Sequence, residues 1–464
     1  MKNRIILSII ALILILVLTV SISACVFRIP ISTTNNSTSN NKNDISTPDG
    51  EREPIDYTSS FYLIDAIFNY YSIFDIDYET AMLAAIRAYV EATGDPYAMF
   101  YTPEEYDALL AENNGDFCGI GVQVIFDYDE YFIEIILVMQ DSPALNILEI
   151  GDKVTHIYVD GEKKALADIV EEFRVKSADL YPTYTAEEIN NVACYETFQY
   201  AISKLRGLEG TYAEFVIDRN GVSKEMKIQR ANVKTVSVTG KTSIRDSKVG
   251  IISISQFDLT TPTQFRNCID TLIASGCDKF VFDVRNNPGG DLASVVAVLS
   301  TLLNEGDVIL STKDSNGLVD VTKVAAITYS GDYSTCSVTK SDLGMYSKYK
   351  MVVLADNNSA SAAELFTAAL RDHNKAEIVG INTYGKGSVQ SFIPLSYYGE
   401  GYYGAIKLTT KLYFPPCGEG YDGGIGIAPD YPVELEGEAA DMHFYKLTEE
   451  VDNQLQKAVS ILID

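Results

Sequence analysis

The sequence predicts a multidomain α/β protein in which a helical arm leads into a β-rich domain and then into a body of alternating strands and helices. Three observations carry this. Apolar side chains recur at helical spacing between residues 56 and 113, and they alternate along short runs broken by glycine and proline between 114 and 232. Between 233 and 440, apolar runs of strand length alternate with amphipathic runs of helix length, the pattern of a largely parallel sheet. With 464 residues, 47% of them hydrophobic, the chain can build two or three cores.

At the N-terminus, Lys2 and Arg4 precede an apolar run from Ile5 to about Val20. The run is long for the core of a secretion signal and within reach of a membrane span. Ile22-Ser23-Ala24-Cys25 resembles a bacterial lipobox, which implies removal of residues 1–24 and lipidation of Cys25. The other reading is an uncleaved single-span anchor. Either way the bulk of the chain is exported and tethered outside a bacterial cell membrane. Residues 25–55, rich in Ser, Thr and Asn, read as a disordered tether.

In the arm, Phe61, Ile64, Phe68 and Tyr71 share one helical face, as do Met82, Ala85, Ile86 and Tyr89. Asp95-Pro96 ends the second helix and Thr102-Pro103-Glu104-Glu105 starts a third. The β-rich domain opens with Gly119-Ile120-Gly121-Val122 and continues into strands at 122–126 and 132–138. Glycines just before a strand expose successive backbone N–H groups, a nest suited to a carboxylate, although an ordinary hairpin turn has the same composition. Residues 162–199 form an acidic, tyrosine-containing insertion. In the body, strands are expected at 249–254 and 280–284 and helices at 263–274 and 292–303. Asp283 to Gly290 joins the second strand to its helix, and a glycine pair there lets backbone amides face a ligand. Residues 441–464 read as a C-terminal helix.

Lys350 to Gln390 carries the chemistry. Met351 to Leu354 is apolar without alternation, as in a strand covered on both faces, and Asp356-Asn357-Asn358 breaks it. Ser361 then opens a helix with apolar positions Leu365, Phe366, Ala369 and Leu370. A hydroxyl at a strand-to-helix corner sits among N–H groups that have no intrahelical partner. The plainer reading is that Ser361-x-x-Glu364 is only a capping box and Lys386, between two glycines, only a surface lysine.

The run NSASAAE, then RDH, then TYGKGSVQ resembles the carboxy-terminal processing (tail-specific) serine peptidases, which use a Ser-Lys dyad. The resemblance implies Ser361 as nucleophile, Lys386, 25 positions on, as general base, and Gln390 as the residue that orients the lysine. It also implies an oxyanion site from the backbone N–H groups of Gly290 or Gly289 and of Ala362. Ala363 stands where many members have serine. GIGV, SPA, GD-V and VDG in order resemble a PDZ domain, with Arg206-Gly207 and Gly210-Thr211 matching its close. That implies capture of a substrate's C-terminus by Gly119, Ile120, Gly121 and Val122. The resemblance covers roughly residues 57–435 and implies a crotonase/ClpP-like catalytic fold and a helical arm suited to homodimerisation. For the ammonium to act as a base it must lose its proton near neutral pH, so apolar neighbours and few carboxylates are expected around Lys386.

Composition narrows the alternatives. A net charge of −28 argues against nucleic acid as a partner. The three histidines, His156, His373 and His443, lack metal-ligand spacing, and no nucleotide motif occurs, so neither metal nor cofactor is expected. Seven cysteines, irregularly spaced and without CxxC, indicate no zinc or redox motif; disulfides stay open and unassigned. Two rivals to the Ser-Lys peptidase remain. One is a hydrolase using His373, set about three helical turns from Ser361; the other is a catalytically silent PDZ scaffold, against which Ser361, Lys386 and Gln390 stand together.

Overall fold

The computed structural model describes residues 57–113, 116–159, 161–180, 184–330, 335–420, 423–442 and 444–463. The expected leader, lipidation site at Cys25 and tether lie outside these residues. The chain divides at about residue 100. The first unit holds helices α1 (Tyr57–Tyr71) and α2 (Tyr78–Glu91). Asp77 caps α2, its carboxylate accepting the Thr80 N–H. The predicted apolar stripe of α1 is on the surface: Phe61, Ile64, Phe68 and Tyr71 are all exposed.

The second unit starts at Tyr101. Helix α3 (Pro103–Asn113) begins with a capping box in which Thr102 and Glu105 exchange hydrogen bonds. Strands β1 (Asp116–Gly119), β2 (Val122–Phe126), β3 (Ile133–Val138), β4 (Lys153–Val159) and β5 (Glu162–Ala165) follow, then helices α4 (Leu166–Leu180) and α5 (Ala186–Leu205). The domain closes with β6 (Tyr212–Arg219), β7 (Val222–Gln229) and β8 (Ala231–Lys234). The sheet runs β2-β3-β4-β6-β7, with β5 on β4, and every pairing is antiparallel. Asn220 and Gly221, both at positive φ, turn β6 into β7, as a two-residue hairpin demands. The insertion is thus largely a helix pair. In α5, Ile189, Ala193, Thr197, Ala201 and Leu205 form a buried i, i+4 row against the sheet.

The body begins with β9 (Val238–Thr242), β10 (Val249–Ile254), α6 (Thr261–Ala274), β11 (Lys279–Asp283), α7 (Leu292–Leu302), β12 (Val308–Asp314) and β13 (Val319–Lys323). It continues with β14 (Lys350–Ala355), α8 (Ala362–Asp372), β15 (Ala376–Gly380), β16 (Ser388–Pro394), β17 (Ala405–Phe414), β18 (Tyr431–Pro432) and α9 (Asn453–Ile463). β10, β11, β14, β15 and β18 are parallel neighbours in that order, with β9 antiparallel on the edge. Strand period two divides the core. Met351, Val353 and Ala355 pack in the cluster that holds α6, α7 and α8, whereas Val352 and Leu354 meet Leu455, Ala458, Val459 and Leu462 of α9. Burial on both faces explains why β14 shows no alternation. A second, antiparallel sheet contains β16, β17, β12 and β13 in that order. The C-terminal helix is shorter than expected: it spans only Asn453–Ile463, because Asp452 caps it by accepting the Leu455 N–H.

Candidate active site

Three loops leave the same edge of the parallel sheet, after β11, β14 and β15. The loop after β14 carries Ser361, which N-caps α8 with φ 55° and ψ −116°. A non-glycine residue there costs about 1–3 kcal/mol, so the surroundings must hold it. They do so from both sides. Ser359, fully buried, donates its hydroxyl to Val284 O at 2.7 Å, and Ala360 N–H donates to Asn287 O at 2.9 Å, tying this corner to the loop after β11. Asp356 accepts the Asn286 N–H at 2.9 Å, and Asn358 donates to the Asn286 side chain at 2.6 Å.

The loop after β11 is anchored at its start by Arg285, whose buried guanidinium is shared between Asp283, Asp452 and Gln454. Asn287 then donates to Ile254 O and accepts the Gly289 N–H, both at 2.8 Å. The Gly289 amide is therefore spent inside its own loop. Of the sequence-predicted oxyanion donors, Gly290 and Ala362 remain; among the described residues neither N–H is engaged within the fold. Both positions line the Ser361 pocket. Gly289 packs so closely that a Cβ would lie 2.9 Å from the Ala362 nitrogen, and one on Gly290 would lie 2.1 Å from Phe257 O.

After β15 the chain returns through Thr383 to Lys386. Lys386 is 1% exposed and lines the same pocket as Ser361, with Gln390, Ser388, Val389, Leu292, Leu365 and Tyr413. Gln390, also buried, donates its amide to Ser388 at 3.1 Å and Thr409 at 3.2 Å, which leaves its oxygen as an acceptor. One carboxylate, that of Glu364, reaches the Lys386 backbone. Glu364 is wholly buried, and its carboxylate accepts the N–H groups of Ser361 (2.9 Å), Gly385 (2.6 Å) and Lys386 (2.9 Å) and the Thr383 hydroxyl (2.6 Å). Burial pushes the Glu364 carboxyl up to about 7, against the lowering effect of those donors. The sequence shows Glu364 only as a capping partner; its grip on the lysine loop spans 22 positions and leaves no local signature.

Residues 248–433 match the family model of Peptidase family S41. Over that stretch the body is similar to the S41 peptidases. The "Probable CtpA-like serine protease" of Staphylococcus aureus is 26% identical over 377 residues, covering 80% of this chain and 65% of that protein. The "Carboxy-terminal-processing protease" of Bartonella bacilliformis is 28% identical over 347 residues, covering 73% of this chain and 67% of that one. The chain thus spans slightly less than two thirds of the staphylococcal relative. Among solved structures, the photosystem II D1 C-terminal processing protease aligns with 20% identity and a TM-score of 0.43, covering 82% of this chain and 92% of that chain.

His373 caps the far end of α8, where its Nε2 meets Val308 O at 2.7 Å. Eleven helical residues, about 16 Å, separate it from Ser361, too far for a His-Ser pair. In the β-rich domain, Gly119 pairs with Ala231, while the carbonyls of Ile120 and Gly121 accept from Ala144 and Met139. Gly121 must be glycine: φ is +79° and a Cβ would lie 2.2 Å from the Ser142 Cβ. Among the described residues there is no cluster of His, Cys, Asp and Glu able to hold a metal, and no helix long and apolar enough to cross a membrane. Cys118, Cys194, Cys268, Cys277 and Cys417 are free thiols.

Proposed function

We propose that this chain is an exported serine endopeptidase that recognises a substrate's free C-terminus through its β-rich, PDZ-type domain and cleaves nearby. Ser361 is the nucleophile, Lys386 the general base and Gln390 the residue that orients the lysine. The observation that carries this is the shared pocket of Ser361 and Lys386, with one buried carboxylate, Glu364, holding the backbone of both. Ser361 Oγ attacks the scissile carbonyl as its proton passes to Lys386 Nζ; the amide N–H groups of Gly290 and Ala362 receive the oxyanion. The lysine then delivers the proton to the leaving amine, and a water repeats the sequence on the acyl-enzyme. Burial of Lys386 disfavours a charged ammonium, the condition for this role.

The finer assignments belong to the same reading. A parallel sheet with its site at the strand ends and a second, antiparallel sheet beside it supports a crotonase/ClpP-like catalytic fold. The exposed aromatic face of α1 supports homodimerisation through the arm. The lipobox-like Cys25, or an uncleaved span, supports tethering to the membrane. The full-length chain in detergent tests the core of the proposal. A fluorophosphonate probe should label it, and Ser361→Ala and Lys386→Arg should each abolish labelling and cleavage, since a guanidinium keeps its proton in proteins. Peptides ending in a free carboxylate should be cleaved with lower KM than their amides. An active Lys386→Arg enzyme would show that another residue takes the proton.

A further inference from the structure

Tyr413 lies on β17, in the wall of the Ser361 pocket, and is 5% exposed. Its hydroxyl is 2.9 Å from Ser361 O and 2.5 Å from Lys386 O. A phenol has one proton to give, and here it is shared between the main-chain carbonyls of the two residues assigned the chemistry. The Ser361 carbonyl and the Ala362 N–H belong to one planar peptide unit and point in opposite directions. A donor fixed on that oxygen therefore fixes the direction of the amide at the other end. It also polarises the unit, which makes the N–H a stronger donor. The Leu365 N–H already occupies one lone pair of Ser361 O through the helix, so Tyr413 takes the second.

We infer that Tyr413 is a positioning residue, acting through its hydroxyl to aim the Ala362 N–H at the oxyanion and to hold the Lys386 backbone against Ser361. The inference rests on the Ser-Lys reading of the site. Its effect is expected in the transition state, where the oxyanion forms, rather than in the binding of substrate.

The experiment compares the full-length wild type, Tyr413→Phe and Tyr413→Leu by kcat and KM on one peptide, by affinity for a peptidyl boronate, and by Tm. The boronate forms a tetrahedral adduct with the serine. Tyr413→Phe should lower kcat about 10- to 100-fold, weaken the boronate by a similar factor and leave KM within about twofold. Tyr413→Leu should be little worse than Tyr413→Phe, because the ring is not what acts. A Phe variant with wild-type kcat and boronate affinity beside a crippled Leu variant would show that Tyr413 only fills space. A raised KM with unchanged kcat would also overturn the assignment. Should the wild type neither label nor cleave, the peptidase reading itself falls, and the role of Tyr413 with it.

Discussion

Glu364→Gln should separate stability from activity in this protein. Burial moves the Glu364 carboxyl from its ordinary 4.5 to about 7. A carboxyl whose folded value lies above its unfolded one binds its proton more tightly in the folded state. Its contribution to stability is then fully present below pH 4.5 and is lost as the pH rises through about 7. At 1.36 kcal/mol per pH unit the full swing is about 3 kcal/mol, most of it between pH 5 and 8. Glutamine has no proton to titrate, so the stability of the variant relative to wild type should rise by that amount as the pH goes from 5 to 8. Activity should move the other way. The ionised carboxylate accepts from four donors, whereas the glutamine amide turns its NH2 against some of them. The Ser361 and Lys386 backbones must then shift, and labelling at pH 8 should fall at least about tenfold. Urea unfolding followed by circular dichroism at pH 5, 6.5 and 8, run beside fluorophosphonate labelling, reads both quantities. A stability difference that stays flat with pH, or a variant that labels at the wild-type rate, would refute the argument.

Gly290→Ala should remove activity while the protein still folds, because a Cβ there meets Phe257 O at 2.1 Å and the oxyanion loop must move; wild-type labelling would place the oxyanion elsewhere. Asp452→Ala deletes one of the carboxylates on the buried Arg285 and the cap of α9, and should cost about 3 kcal/mol or more in denaturant unfolding. A shift below about 1 kcal/mol would mean that Asp283 and Gln454 satisfy Arg285 unaided.

Legibility in the sequence followed the range of the interactions. Strand β10 was readable to the residue, since an apolar run bounded by Lys248 and Ser255 is a local signal, and β11, α6 and α7 were readable to within two positions. The C-terminal helix was over-extended because residues 441–452 carry no proline or glycine; what stops the helix short is Asp452, committed to Arg285 167 positions away. The apolar stripe of α1 is exposed in this structure, since periodicity reports a face and not what covers it. At the site, Gly289 and Gly290 were indistinguishable until Asn287 was seen to take the Gly289 amide. Glu364 and Tyr413 act on backbone atoms, which accept any residue type, so nothing in the residues they hold could announce them.

The strand order places the loop that carries Lys386, rather than the far end of α8, beside Ser361. In a parallel sheet all strand-to-helix turns open at one edge, and neighbouring strands bring their turns together. β14 lies between β11 and β15, so the turn carrying Ser361 has the glycine loop on one side and the chain leaving β15 on the other. The spacing from Ser361 to Lys386 is the length needed to run down α8, return along β15 and emerge at that edge. Any residue on α8 itself recedes by 1.5 Å per position, and His373 is accordingly spent at the opposite end. On the proposed Ser-Lys reading the base comes from the loop after β15, where Gly385 sits at φ +90° with Gly424 2.6 Å from a would-be Cβ. The next residue, Lys386, is buried at the pocket. The next strand's loop thus reaches the Ser361 pocket, and a buried amine is the group this sequence places there.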